Sequence, residues 1–571
     1  MNNKIPRWSK NQKNPPQTGG HPPVDLTFLG GLGEIGLNSL TLETPESLVV
    51  VDAGLMFPED HMLGIDIVIP DFSYLKQRRE KVAALLLTHG HEDHIGAVPF
   101  LLREMTMPIY GTPLTLALLR EKLREHGLSE GIQLHEVRPG QPLRVGPFEF
   151  DFISVSHSIV DGVGFAVKTP QGVVVHSGDF KIDQTPVCGA AIDLNRFAHY
   201  GEAGVLALLS DSTNAERPGF TMSERQIGQT LEGLVREAPG RVIVAVFASH
   251  ISRLQQIVNL AARHNRKVLF NGKSMLTNTR LAKELGYLIV PPELEITLSD
   301  LERLPPEQTI IVTTGSQGEP LSALARIALE AHKHIRIRRG DLVILSSKFI
   351  PGNEKAITTV INNLYRLGAE VVYEEVADIH VSGHASQEEL KLLFNLSRPR
   401  YFIPIHGEIR HLIKHGHLAR SLGLPEDRLI LAQNGDQVRF DSEGARIHGK
   451  VEVGRVFVDG KGVGDVSRIV LRDRHHLATD GLVIAVVAID PLAREMVTEP
   501  DLITRGFVLE EEHTPLMEEA RRIFGEIVRK SLTEPTQDWL EIQAQVGKAL
   551  RKLFFKRLER RPMILPLILT L

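Results

Sequence analysis

Thr88-His89-Gly90-His91-Glu92-Asp93-His94 decides the reading of this chain. Four side chains able to hold a metal stand within six residues, in the order His-x-His-x-Asp-His. The apolar run Val82 to Leu87 leads straight into them. That pattern reads as a buried strand ending in a ligand loop, with a helix expected to start near Ile95. Zinc-finger spacing would need cysteines, which this stretch lacks. Imidazole and carboxylate donors on a tight loop suit a catalytic divalent metal. One open site needs fewer than four ligands from one loop, so two metals sharing the loop are expected. A surface loop that happens to be rich in histidine is the bland alternative, and the buried strand feeding the loop argues against it.

Outward from this loop, further candidate ligands occur singly after strand-like runs. His157 follows Phe152–Ser156, Asp179 follows Gly172–Gly178, and His406 follows Tyr401–Ile405. A lone His after a strand is more often a hydrogen-bonded turn residue than a ligand. Three such residues beside a strong His/Asp loop shift that balance. From Val24 to about Asp211 the chain alternates short apolar runs with Gly and Pro turns, interrupted by helical patterns at Ala97–Glu104 and Leu114–His126. From about Ser223 longer helical stretches alternate with strands, as in an inserted βαβ-type domain. The first texture returns between His380 and Val453. The Gly/Asp-rich run Asp459–Asp465 reads as a linker, and a small α/β module closes the chain. Gly31-Leu32-Gly33-Glu34-Ile35-Gly36 matches G-x-G-x-x-G, but an alternating strand pattern follows where a dinucleotide site needs a helix. The glycines are expected to form a tight turn close to the metal loop.

Bulk properties bound the function. A chain of 571 residues is too long for one core, and length alone suggests about three or four domains. Hydrophobic residues make up 42% and charged residues 24%, as in ordinary globular proteins. A net charge of -5 gives no global field for a polyanion, so any such site must be a local basic groove. The single cysteine, Cys188, rules out disulfides within the chain and points to a reduced, cytoplasmic setting. No nucleophile signature surrounds Cys188, so packing is its expected role. No apolar run approaches the length of a membrane span, and Met1 to Pro23 lacks the apolar core of a signal peptide. That polar start reads as a disordered tail.

The ligand pattern resembles the metallo-β-lactamase superfamily, whose members fold as an αββα sandwich with a two-metal site at one sheet edge. The resemblance implies that His89, His91 and His157 hold one metal. It implies that Asp93, His94 and His406 hold the other, with Asp179 bridging. Asp179 and His406 are 227 positions apart, room for a whole inserted domain. Ser210-Asp211-Ser212-Thr213, Phe247–Arg253 and Val381–Ser386 flank or enter that insertion and are similar to the nucleic-acid-processing β-CASP branch. Within the branch the chain resembles the bacterial ribonuclease J family, through Leu29–Gly36, His157-Ser158-Ile159, His380–His384, Pro404–Glu408 and Arg560-Arg561-Pro562. Two departures are His250, where Asn is expected, and Ala385, where Gly is commoner. The expected fold is α/β: a tail over 1–22, the sandwich over 23–215 and 376–455, and a β-CASP domain over 216–375. A linker over 456–470 and a C-terminal α/β domain over 471–571 follow.

The resemblance also implies a chemistry. Two metals about 3.5–4 Å apart can clamp the attacking and leaving oxygens of an in-line phosphoryl displacement and lower the pKa of bound water. The leaving 3′-oxygen needs a proton, for which His384 is the candidate donor and Asp211 its orienting partner; Asp93 counts among the catalytic groups as well as the ligands. Backbone N–H groups at Gly383, His384, Ala385 and Ser386, faced by Ser249, Ser252, Arg253 and His380, are expected to take a 5′-phosphate. The reading is a 5′→3′ exoribonuclease preferring 5′-monophosphate ends, with endonuclease action, in RNA maturation and decay. Zn²⁺ is the first expectation for two metals per subunit, with Mn²⁺ as the alternative. Single-stranded RNA, a homodimer or homotetramer and an RNA-degradation complex are the expected partners, and no membrane. Basic runs at His332–Arg339 and Lys548–Arg561 are candidate RNA contacts, weighed against solvated faces over packed stripes. Phe57 is a candidate for stacking on a base, weighed against core packing. Two other functions stay open: a thioester or lactone hydrolase using the same metals, and a non-catalytic RNA-binding scaffold.

Overall fold

The computed structural model describes residues 20–571 apart from 129, 320, 350–352, 378, 509–513 and 534–537. Most of the tail expected over 1–22 therefore lies outside the described residues. Two compact units emerge. One takes in the chain up to Phe57 together with Val68–Val456; the other comprises Pro58–Ile67 and Phe457–Leu571.

In the first unit two sheets face each other. Short runs rich in Val, Leu, Ile and Phe alternate inward-facing apolar positions, which is what a sheet needs to bury one face. One sheet has eight strands, with Val24–Gly30 between Ser39–Glu43 on one side and Asp436–Asp441 on the other. The other has six and ends at Tyr401–Ile405, parallel to Val205–Asp211. Phe28, Val49, Leu86, Phe150, Phe165, Leu209 and Ile403 fill the core between them. On the outer face of the six-stranded sheet, Phe197, Leu393, Phe394 and Ala419 pack from three helices, Leu194–Ala203, Gln387–Ser397 and Ile409–Ser421. This is the expected αββα arrangement.

Between Val205–Asp211 and Tyr401–Ile405 the chain builds a separate five-stranded sheet. All its pairs are parallel, from Lys267–Asn271 through the central Val242–Ala245 to Glu370–Val372. Parallel strands need crossovers, and helices cover both faces: Ile227, Leu254 and Met275 on one, Leu324, Ile357 and Leu364 on the other. The second unit holds a four-stranded sheet centred on Leu482–Asp490, with the helices Thr514–Leu532 and Trp539–Leu558 against it.

Two local expectations are refined by what forms. The stretch 456–470, expected as a linker, carries regular structure of its own. Arg455–Asp459 and Gly462–Val463 make a hairpin, and a helix begins at Arg468. Gly460 at φ 57 permits the two-residue turn, so the glycines that suggested a linker serve a hairpin turn. The helix after the ligand loop starts at Glu92, not near Ile95. Glu92 and Asp93 occupy its first turn, where carboxylates meet the positive end of the helix dipole.

Candidate active site

The strand Val82–Leu86 delivers the His89–His94 loop to one edge of the sandwich. The loop is pinned from below by the segment after Leu48–Val51. Ala53 N donates to His94 O at 2.8 Å and Leu55 N to Glu92 O at 3.0 Å. Gly54 is required there, because a Cβ would lie 1.6 Å from the Asp93 carbonyl oxygen. Asn38, in the turn that follows Gly31–Gly36, donates its side-chain amide to Asp93 O at 3.1 Å. The turn thus lies close to the loop, as expected, and Asn38 just beyond it braces the loop.

Two groups of donor atoms converge, one from His89, His91 and His157, the other from Asp93, His94, Asp179 and His406. In each, one atom per residue lies within 4.8 Å of all the others. His91 Nδ1 lies 3.1 Å from His89 Nε2 and 3.2 Å from His157 Nε2. Three imidazole nitrogens aimed at one point fit a cation: tetrahedral zinc with its usual Zn–N bonds spaces such nitrogens by about 3.3 Å. Asp179 faces both groups, 3.2 Å from His94 Nε2 and 3.0 Å from His406 Nδ1 in its own, and 3.7 Å from His89 Nε2 and 3.9 Å from His157 Nε2 in the other. The ligand chemistry and the spacing fit divalent metal.

Outer partners fix the rings. Asp52 accepts from Thr88 N, Thr88 Oγ1 and His94 Nδ1, each at 2.8 Å, so His94 turns Nε2 toward the site. His157 Nδ1 donates to Gly383 O at 2.8 Å and likewise turns Nε2 inward. Asp52 and His406 both adopt positive φ, 58 and 53, an uncommon conformation concentrated at functional sites.

Burial shifts the titrations. It drives His89 and His157 well below the ordinary histidine value and His91 to about 4, leaving neutral rings suited to ligation. Burial acts on His94 and His406 in the same sense, but the carboxylates of Asp179 and Asp93 outweigh it. His94 is raised well above its ordinary value and His406 to about 10.

The return from the inserted domain supplies the opposite wall. His384 Nδ1 lies 2.7 Å from Asp211 Oδ2, and its ring centroid is 4.8 Å from that of His157 and 5.5 Å from that of His406. Burial would lower the His384 pKa, but Asp211 overrides it and raises it. The Nε2 of His384 has no protein partner among the described residues.

The residues expected at a phosphate are placed differently from one another. Ser249 is half-buried beside the start of the helix Ile251–Arg263, and Ser252 is buried within it. Arg253 is fully buried; it donates to Glu224 at 2.7 Å and to Ile379 O at 2.6 Å, and to Ser346 as well. Its charge is spent inside the fold, under the loop that carries His380. His380 is half-buried, with Nδ1 unbonded. Gly383 and Ala385 are buried. The N–H of His384 goes to Ser382 Oγ at 3.2 Å and that of Ser386 to Glu389 at 2.8 Å. Those two donors were expected to face a phosphate; the capping box that starts the next helix takes up the Ser386 N–H instead.

Phe57 stands 65% exposed, so core packing is not its role. In the basic runs, His332 is buried, Arg557 pairs with Glu519 and Arg560 donates to Phe507 O. Sequence reasoning missed Asp52, Asn38, Asn214, Thr221 and Glu389. Asp52 had a signal, a carboxylate directly after the buried Leu48–Val51 strand, and Glu389 had one as the distal half of a capping box; the other three had none, because their partners are distant in sequence. No helix among the described residues is long and apolar enough to cross a membrane.

Comparison with known proteins agrees with this geometry. Four family models match: a beta-lactamase superfamily domain at 49–197 and the ribonuclease J beta-CASP domain at 239–364. A Zn-dependent metallo-hydrolase RNA specificity domain matches at 368–426 and the ribonuclease J C-terminal domain at 469–571. Ribonuclease J2 of Bacillus subtilis is 42% identical, over 96% of this chain and 98% of its own. Ribonuclease J of Thermus thermophilus is 44% identical, over 96% and 95%. A crystal structure of a protein of unknown function from Enterococcus faecalis aligns with a TM-score of 0.53 at 16% identity, over 73% of this chain and all of that one, which shows shared fold alone. These matches favour neither the small-molecule hydrolase nor the scaffold reading. Full-length identity above 40%, with a divalent-metal donor cluster on a metallo-β-lactamase sandwich, makes this chain a member of the ribonuclease J family and a metal-dependent ribonuclease.

Proposed function

We propose that the chain is a 5′→3′ exoribonuclease that prefers 5′-monophosphate ends of single-stranded RNA and also cuts internally, in RNA maturation and decay. His89, His91 and His157 would hold one divalent ion; Asp93, His94 and His406 would hold a second, and Asp179 would lie between them. Zn²⁺ is favoured by the three converging imidazoles, with Mn²⁺ as the alternative. Bound there, such ions lower the pKa of water and stabilise charge on the phosphate.

The chain's own residues do the rest. Water adds to phosphorus and releases a proton to solvent, the P–O3′ bond breaks, and His384 Nε2 gives its proton to the leaving O3′, to be reprotonated from solvent afterwards. Asp211 holds the His384 ring through Nδ1 and, as the nearest negative charge, favours its protonated form. The observation that carries this reading is the 2.7 Å His384–Asp211 pair beside the ligand cluster. A hydrolase of small esters needs no such donor for a good leaving group.

The half-buried Ser249 and His380 are the members of the expected phosphate set best exposed for the 5′-phosphate, with Ser252, Gly383 and Ala385 lining it and Arg253 supporting from behind. Domain boundaries at 23–215 with 376–455, 216–375 and 471–571 are part of the proposal. So are assembly as a homodimer or homotetramer, contact with an RNA-degradation complex and, on cysteine usage, a cytoplasmic location.

Matched RNAs bearing 5′-monophosphate, 5′-triphosphate or 5′-hydroxyl ends, digested with Zn²⁺ or Mn²⁺ supplied separately, test this. Mononucleotide release confined to the monophosphate RNA is expected. Equal release from all three would overturn the end preference, and hydrolysis of thioesters without RNA cleavage would overturn the substrate.

A further inference from the structure

Glu389 lies in the first turn of the helix Gln387–Ser397 and is fully buried. By sequence it is the distal half of a capping box opened by Ser386. A capping box asks this side chain for one backbone N–H. Here it takes three. Ser386 N donates at 2.8 Å and Thr221 N at 2.7 Å to one oxygen, and Ile182 N donates at 2.7 Å to the other.

The three donors come from segments far apart in the chain, each leading away from a site residue. Ile182 follows Asp179, Thr221 lies beyond Asp211, and Ser386 follows His384. Thr221 passes the restraint on, since its Oγ1 donates to the His384 carbonyl at 2.9 Å and lies 2.9 Å from Ser386 Oγ. Asn214 grips the same carbonyl at 2.9 Å. On the other side Lys181 N donates at 2.7 Å to the carbonyl of Ser156, the neighbour of His157. One carboxylate therefore gathers the backbones on both sides of the site, where local helix capping alone would touch only one.

We propose that Glu389 is a positioning residue for RNA hydrolysis: it sets where His384 stands over the scissile phosphate by tying the His384 loop to the segments that carry Asp179 and Asp211. The inference rests on the reading of His384 as proton donor. Misplacing a reacting group by about 1 Å costs on the order of 10²-fold in rate.

The test compares RNA with an ordinary scissile linkage and RNA with sulfur in place of the bridging O3′. A leaving thiolate needs no proton, so the sulfur linkage bypasses His384. Glu389→Gln keeps the size but sets an NH₂ group against one of the N–H donors. It should lower kcat on the ordinary linkage by about 10- to 100-fold with KM within about twofold, and cleave the sulfur linkage within about threefold of wild type. Thr221→Val, which cuts the hydroxyl link to His384 and keeps the shape, should show the same pattern more weakly. His384→Ala is the reference. If sulfur does not rescue His384→Ala, the reading of His384 fails. If it rescues His384→Ala while Glu389→Gln stays equally impaired on both linkages, or if Glu389→Gln keeps wild-type kcat, the positioning role is overturned.

Discussion

The two walls of this site are built on different scales. His89, His91, Asp93 and His94 come from one six-residue stretch, and much of their bracing comes from Asp52 and the Gly31–Asn38 turn, within about sixty residues. His384 stands on a loop whose restraints reach much further, 163 positions to Thr221 and 173 to Asp211. His157, Asp179 and His406 complete the ligand wall from elsewhere in the chain, and His157 meets the His384 loop at Gly383 O. The contrast teaches that the larger part of the ligand wall is written locally, whereas the placement of His384 depends on how an inserted domain is moored.

Four experiments break or sharpen that division. The largest effect is expected from Asp179→Ala or His89→Ala, which strike the ligand wall. Hydrolysis of 5′-phosphorylated RNA should fall by well over the roughly 10- to 100-fold that an outer partner is worth, with loss of bound metal by elemental analysis. Persistent hydrolysis in either variant would sink the ligand assignment. His384→Ala strikes the other wall. It should lower kcat by about 10²- to 10⁴-fold while metal content stays at the wild-type level. Were metal lost as well, the walls would not be separable.

Asp52→Asn should weaken metal binding by about 10- to 100-fold in chelator competition, since Asn cannot accept from both Thr88 and His94 as the carboxylate does. A smaller effect concerns stability behind the proton-delivery wall. Burial drives His415, which lies 3.0 Å from Ser212 Oγ, from 6.5 down to about 3. Below pH 6.5 the unfolded chain takes up a proton that the folded chain refuses. Stability is therefore complete above that pH and falls as the pH drops toward 3, by about 1.4 kcal/mol per unit. His415→Gln should remove about 2 kcal/mol of the loss between pH 7.5 and 5, read as a shallower fall in Tm. An unchanged pH dependence of Tm would show that His415 already titrates normally.

What was legible in the sequence follows the same line. The loop, its single partners at strand ends, the two textures and the inserted α/β domain could be read because each signal is local: a strand period, a donor cluster, a turn. Asp52 left a trace as a carboxylate at a strand end. Thr221, Asn214 and the wider reach of Glu389 left none, since nothing in a capping box or a lone Thr announces a partner more than 150 residues away. The Ser386 N–H is a different case, since the Ser-x-x-Glu signal of a capping box was local and was passed over. Its sequence context offered it to a ligand, yet a helix start consumes it. Within 456–470 the glycine signal marks a hairpin turn, a local detail that the linker reading did not specify.

The pairing of Asp25 with Arg439 across the eight-stranded sheet has a consequence for biosynthesis. A nascent chain halted before residue 400 carries the histidine loop but neither the Tyr401–Ile405 strand nor His406 behind it. Its first strand pairs at once with Ser39–Glu43 but waits for its other neighbour, translated some four hundred codons later. On the proposed ligand set, a chain truncated there lacks one metal ligand together with the strand that carries it.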